Sequence, residues 1–363
     1  KKPPLHRGKR IVLTSFLTGL ILAACALLGR NTPKPQPYRL WPLPPDSPRL
    51  ELTMSFNSPE DLGFPPSFWS RLSQILFGSA PTKMVRPYAV AVRGTTTAIT
   101  DTKLGAVHVY DFERKRYRQI GKGSKGLISP VGVAIDKQNR IWVADSVRAE
   151  VRVYHADGKL EKSLHPFGRP TGLTYDENRG ILWVADAERH SLHKIDESGG
   201  LVQDTGERGT KPGQFNYPVH LASREDRLYV TDTINFRVQI LNPDGTHAGG
   251  FGRLGDGSGD FALPKGIGVD SDGHIYVVDA VFDLFQVFDP NGTLLLGVGG
   301  PGSRPGEFSL PSGLTVDNQD RIWVADTFNS RVQVFQYIKE GEKPRGPRPI
   351  GSSWFNLAIR SAF

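Results

Sequence analysis

The chain has 363 residues, among them 40 glycines, 28 prolines and one cysteine, and carries a formal net charge of +8. One cysteine excludes a disulfide framework and any multi-cysteine zinc or iron–sulfur centre, and 38% hydrophobic with 10% aromatic residues is too apolar for a disordered chain. Abundant turn-formers beside Val, Ile, Tyr and Trp point to many short strands.

Lys1, Lys2, Arg7, Lys9 and Arg10 form a basic block, and Ile11 to Ala24 an apolar run, the order of a secretory signal. The run ends in Leu22-Ala23-Ala24-Cys25, at the chain's only cysteine. It resembles a bacterial lipoprotein signal, which implies cleavage before Cys25, acylation of that residue and, with Ala26 following, an outer-membrane destination. The alternative is an uncleaved signal anchor, for which Ile11 to Gly29 is barely a span. Either way the body lies outside the cytoplasm, because the basic block stays inside. Thr32 to Pro48 holds seven prolines and reads as a semi-rigid spacer. Arg49 to Phe56 alternates as a strand. Ser67 to Phe77 carries Phe68, Trp69, Leu72, Ile75 and Leu76 at helical spacing, with Ser67 as N-cap and Gly78 as the stop. This predicts a helical plug or lid, or else a membrane-surface helix.

From Pro87 onward one pattern recurs six times: a proline, a short apolar run, a turn, then a strand ending in aspartate. The prolines are Pro87, Pro130, Pro170, Pro218, Pro264 and Pro311; the aspartates are Asp101, Asp145, Asp186, Asp232, Asp279 and Asp326. Positions six and eight after each aspartate are apolar, Lys194 excepted, which is strand spacing with one face buried. A period in the forties with several short strands per unit is the size of a propeller blade. Gly132, Gly172, Gly266 and Gly313 fall two after the proline, where innermost strands crowd the axis. Trp142, Trp183, Tyr229, Tyr276 and Trp323 on the second strand are predicted to pack between blades. Each aspartate is expected to cap the loop that follows it.

The run Leu310-Pro311-Ser312-Gly313-Leu314-Thr315-Val316-Asp317, followed by Arg321 to Thr327 and Asn329 to Phe335, closely resembles the NHL repeat, and Pro218 to Ile240 is nearly as close. The resemblance implies an all-β, six-bladed propeller; the Gly-His and Trp-Asp signatures of WD repeats are missing. The usual arginine after the aspartate stands only at Arg237 and Arg331, so an Asp–Arg bridge is not expected in every blade. The last blade lacks a fourth strand of its own, and Arg49–Phe56 is expected to supply it and so close the ring. The predicted organisation is a signal or anchor over 1–24, a Pro-rich linker over 25–48 and a closing strand over 49–58. A helical insertion over 59–83, the propeller over 84–338 and a basic tail over 339–363 follow.

Position two after the proline is predicted to line the channel mouth: Ala89, Gly132, Gly172, His220, Gly266 and Gly313. His220 is the anomaly, with Lys265 and Thr171 one position away in neighbouring blades, and a space-filling or hydrogen-bonded histidine is expected. The equivalent glycines offer a metal no further ligand. The six aspartates sit one per blade and cannot share a cation. Similar propellers include lactonase-like enzymes with Glu, Asn and Asp around an axial metal, and lyases with several histidines and zinc. Neither set stands at the inner-strand starts here, and no nucleophile elbow or phosphate loop is present. The expectation is therefore a non-enzyme with no metal or cofactor, a divergent metal-dependent lyase or lactonase being the outside alternative. Arg148, Arg189, His190, Phe236, Phe282 and Phe328 on the loops after strand two, with His220, make the expected partner-binding face. Its partners would be envelope proteins, or in a second hypothesis a polysaccharide or the cell wall. Nucleic acid is not expected: five of the eight surplus charges lie in residues 1–10 and three in 339–363, leaving 25–338 balanced.

Overall fold

The computed structural model describes residues 36–43, 45–65 and 82–346. The signal segment, Cys25, the helix expected over 67–77 and the tail beyond 346 lie outside the described residues.

Each repeat folds into one antiparallel four-stranded blade because its pattern dictates where strands start, turn and stop. In the first blade the strands are Pro87–Arg93, Thr96–Asp101, Ala106–Asp111 and Arg116–Ile120. The leading proline stands opposite the repeat aspartate, as in Pro87↔Asp101, Pro130↔Asp145 and Pro264↔Asp279, and a bulge follows it at once. Proline opens the innermost strand, where no ladder N–H is needed. The bulge then turns the next residues onto the neighbouring blade. A Cβ added at Gly132 would stand 1.9 Å from the Thr171 carbonyl oxygen, and one at Gly313 2.4 Å from that of Tyr88. The glycines are therefore there for close approach between inner strands.

Inner strands contact in the order of blades one to six and back to one, so the ring is closed. Six apolar clusters hold it, each spanning one junction between blades. Trp142, Trp183, Tyr276 and Trp323 are fully buried in them, as expected. Three of these aromatics also satisfy their polar ends on the turn aspartate of their own blade. Trp142 Nε1 donates to Asp136 at 2.8 Å, Trp323 Nε1 to Asp317 at 2.9 Å and Tyr276 Oη to Asp270 at 2.8 Å.

The sixth blade is composite. Leu50–Phe56 pairs with Arg331–Tyr337 in the register Leu50↔Tyr337, Leu52↔Phe335 and Phe56↔Val332, buries Leu50, Leu52, Met54 and Phe56, and closes the ring as expected. A further strand, Arg39–Trp41, pairs outside it and carries the blade into the Pro-rich stretch, with Trp41 edge-on to Phe335 at 5.5 Å. Among the described residues the only helical turns are Glu60–Leu62 and Thr233–Asn235.

Candidate functional site

The six repeat aspartates are fully buried and organise the loops on one face of the ring. Asp101 accepts the backbone N–H groups of Val85 and Arg86 before its blade and of Lys103 and Leu104 after its strand. Asp186 does the same with Gly168, Arg169, Glu188 and Arg189, and Asp279 with Ala262, Leu263, Val281 and Phe282. Each carboxylate thus clamps two loops, the one before its blade as well as the one after. Arg237 and Arg331 bridge Asp232 and Asp326 at 2.9 and 2.7 Å, the two pairings expected.

Seven residues after each aspartate comes a polar side chain that sequence reasoning passed over: His108, Arg152, His193, Gln239, Gln286 and Gln333. In blades four to six a long glycine-rich loop precedes the blade, plugged by a buried Phe215, Phe261 or Phe308. The glutamine pins that loop: Gln333 accepts from Gly306 N–H and donates to Glu307 O, both at 2.8 Å. Where the loop differs, histidine stands there in blades one and three and Arg152 in blade two. His193 lies 2.5 Å from Asp204 through Nδ1 and 3.4 Å from Asp186 through Nε2. Burial pushes its pKa down, but the two carboxylates prevail and hold it above the usual 6.5. Burial likewise pushes Asp186 up, and His193 with the loop N–H groups outweighs it, bringing the carboxyl down to about 2.

On this frame the expected face residues play different parts. Arg148 Nε donates to Gly126 O at 2.8 Å, and Arg189 to Pro166 O at 3.1 Å, so both brace neighbouring loops. His190, at φ 54°, accepts the Tyr217 N–H at 3.1 Å and joins blade three to blade four. Phe236, also left-handed, ends the Thr233–Asn235 turn and packs against the core between blades four and five. Phe282 is half-buried. Phe328 is 56% exposed, with the Arg86 guanidinium over its ring at 5.3 Å. These residues lie on loops of blades two to six, Arg189 and His190 together in blade three, and are spread around the ring.

Beside charged side chains such as Lys103, Glu188 and Arg86, the loops expose apolar ones. Two after the aspartate stand Val147, Ile234, Val281 and Phe328, and two before the proline Val85 and Ile128; with Leu310 they crown the face.

The channel begins at the centre of this face. His220 of blade four stacks on Tyr88 of blade one, ring centroids 6.0 Å apart and 21° between planes. Those blades face each other across the axis, so the pair bars the entrance. His220 is 7% exposed and neither ring nitrogen has a protein partner: it fills space, as expected, without a hydrogen bond. Burial and the nearby Lys265 bring its pKa down to about 3, so the ring is neutral. Lys265 Nζ lies over the Tyr88 ring at 5.8 Å and the Arg169 guanidinium over Tyr217 at 5.6 Å. Burial, with Tyr217 next, raises Tyr88 to about 12. Tyr88, Arg169 and Tyr217 flank the prolines rather than following at position two, so the repeat register places them near the axis without giving their orientation. Below the bar lies a cavity of about 160 Å³ lined by the inner strands, among them Gly132, Gly172, Leu221, Leu314 and Tyr175. At its other end Arg93 pairs with Glu177 at 3.0 Å. Among the described residues no three His, Cys, Asp or Glu side chains come together in an arrangement suited to a metal.

The chain carries NHL repeats: the family model "NHL repeat" matches residues 127–154, 167–195 and 308–335, in blades two, three and six. NHL repeat-containing protein 2 of Gallus gallus is 27% identical over 32% of this chain; the chain spans about a fifth of that relative, 21%. Among solved structures, virginiamycin B lyase from Staphylococcus aureus superposes with a TM-score of 0.52 at 16% identity, covering 70% of this chain and 95% of that one. A gluconolactonase from Xanthomonas campestris gives 0.54 at 19%, covering 70% and 86%. An auxiliary nutrient binding protein from Bacteroides thetaiotaomicron gives 0.56 at 11%, covering 70% and 69%. At these identities the likeness carries the fold alone. It nonetheless corrects the expectation that the chain is not an enzyme, since a lyase and a gluconolactonase share this architecture. The lack of a known ligand set at the inner-strand starts does not decide the matter, since a propeller can draw chemical groups from any loop of the face.

Proposed function

We propose that this propeller is a recognition ring of the cell envelope, held at the membrane through Cys25 or the segment before it and presenting its loop face to another protein. The observation that carries this is the apolar crown. Val147, Val281 and Phe328 are 63, 55 and 56% exposed on loops held by buried aspartates, through backbone N–H groups in the first two and through the Asn329 side chain in the third. Exposed apolar side chains on rigid supports lose little conformational freedom on binding and bury area efficiently. The Arg86–Phe328 pair adds an aromatic and cationic anchor of the kind that concentrates binding energy. A binding role on the same architecture is named for the Bacteroides nutrient binding protein.

The test is site-specific photocrosslinking in cells at Val281, with Val202 on an outer strand as control. A discrete adduct at Val281, lost in the Val147→Asp/Phe328→Asp variant, is expected; equal adducts at both positions would sink the face assignment. For the anchor, Cys25→Ala is expected to move the protein from the membrane fraction to the soluble one.

A further inference from the structure

The channel mouth gathers cations, aromatic faces and an unpartnered buried histidine, and the apolar crown explains none of them. Lys265 and Arg169 have no ion-pair partner among the described residues. Asp279, the acid whose field reaches Lys265, is engaged with four loop N–H groups. Two cations without a carboxylate, at the opening of a low-dielectric channel, make a standing positive potential. His220 adds buried polar nitrogens with no protein partner, an arrangement costly unless a ligand supplies one. Tyr217 is held at φ 65°, a conformation disfavoured for a tyrosine, by the His190 bond to its N–H, which keeps its ring beside Arg169.

From this juxtaposition we infer that the loop-side mouth of the channel, formed by Tyr88, Arg169, Tyr217, His220 and Lys265, is a binding site for a carboxylate. Arg169 offers the planar fork that grips a carboxylate, and Lys265, two blades further round, a point charge. His220, neutral, donates one N–H and accepts at the other nitrogen. The Tyr88–His220 stack and the Tyr217 ring give a planar ligand faces to lie against. Carboxylate is favoured over phosphate because the loop N–H groups that would cradle a phosphate are already taken by the repeat aspartates. The carboxylate comes either from a free organic acid or from the C-terminal end of a peptide chain. The site does not depend on the crown, so the two assignments stand or fall separately.

The full chain, labelled with ¹⁵N-histidine, is titrated with benzoate, with its neutral isostere benzamide and with inorganic phosphate, following the His220 ring nitrogens by NMR. Saturable shifts with benzoate are expected, with benzamide at least about tenfold weaker. Lys265→Met and Arg169→Gln, which keep the side-chain stems, are each expected to weaken benzoate by about fivefold or more. Equal binding of benzamide, tighter binding of phosphate, or no saturable shift up to about 10 mM benzoate would overturn the assignment. Displacement of benzoate by a hexapeptide with a free C-terminus, and not by its amide, supports a chain end as the source; failure of both to compete supports a free acid.

Discussion

Leu52→Ala tests the composite blade most directly. Leu52 is completely buried, faces Phe335 across the strand pair, and belongs to the cluster that joins blades five and six. Removing its three terminal carbons loses about 2.4 kcal/mol of transfer free energy. The cavity left between two fixed sheets brings the cost to about 3–4 kcal/mol. Against a total stability on the order of 5–15 kcal/mol, that is a large fraction. The assay is urea unfolding followed by tryptophan fluorescence, since Trp323 lies in the same blade. With a slope of about 3 kcal/mol/M, the midpoint is expected to fall by about 1 M. Leu201→Ala, on the outer strand of blade three and 61% exposed, is the control, expected within about 0.5 kcal/mol of the parent. An unchanged midpoint for Leu52→Ala would refute closure by this strand, because no other role buries that residue.

Gly132→Ala drives a methyl into the Thr171 carbonyl and is expected to cost about 1–3 kcal/mol by calorimetry, whereas Gly249→Ala, with nothing within 4 Å, is expected to be tolerated. Asp279→Ala strips four loop N–H groups of their acceptor and should lower stability by about 2–4 kcal/mol, with faster hydrogen exchange at Ala262 and Val281. The His193 pKa lies above 6.5 in the folded protein, so its contribution is full below pH 6.5 and is lost as pH rises through the raised value. Asp186, lowered to about 2, contributes above pH 3.8 and loses its contribution as pH falls toward 2. His193→Gln, the residue of blades four to six, is therefore expected to flatten the alkaline side of a stability–pH profile measured between pH 5 and 9; an unaltered slope would remove His193 as its cause.

The propeller was legible because its punctuation is covalent and local. A proline that opens a strand, an aspartate that ends one and valines two apart between them are all decided within a few residues. Ring closure was legible for the same reason, since the alternation from Leu50 to Phe56 needs a sheet. The channel mouth was legible only in part: His220 and Lys265 were found, Tyr88, Arg169 and Tyr217 were not. The bulge after each leading proline shifts the pairing register just where the chain reaches the axis, so alternation ceases to report which way Tyr88 or Lys265 points. At position two the glycines meet the next blade's backbone, and Gly132, Gly172 and Gly313 line the channel with Ala89 and His220 as expected, while Tyr88 from position one reaches across to His220. The face residues were chosen by type, and type does not separate an arginine that binds outward from one, like Arg148, that ties down the loop next door.

Thr53 and Val334, bonded at 2.9 Å in the finished blade, are 281 residues apart in the chain. At roughly 5–20 residues per second of synthesis, the strand Leu50–Phe56 exists for roughly 15–60 s before its partner does. Through that interval its apolar face and free backbone edge invite pairing with any other chain. Docking of Leu50–Phe56 thus waits for the last repeat, and whatever escorts the nascent protein must shield the strand until that repeat has emerged.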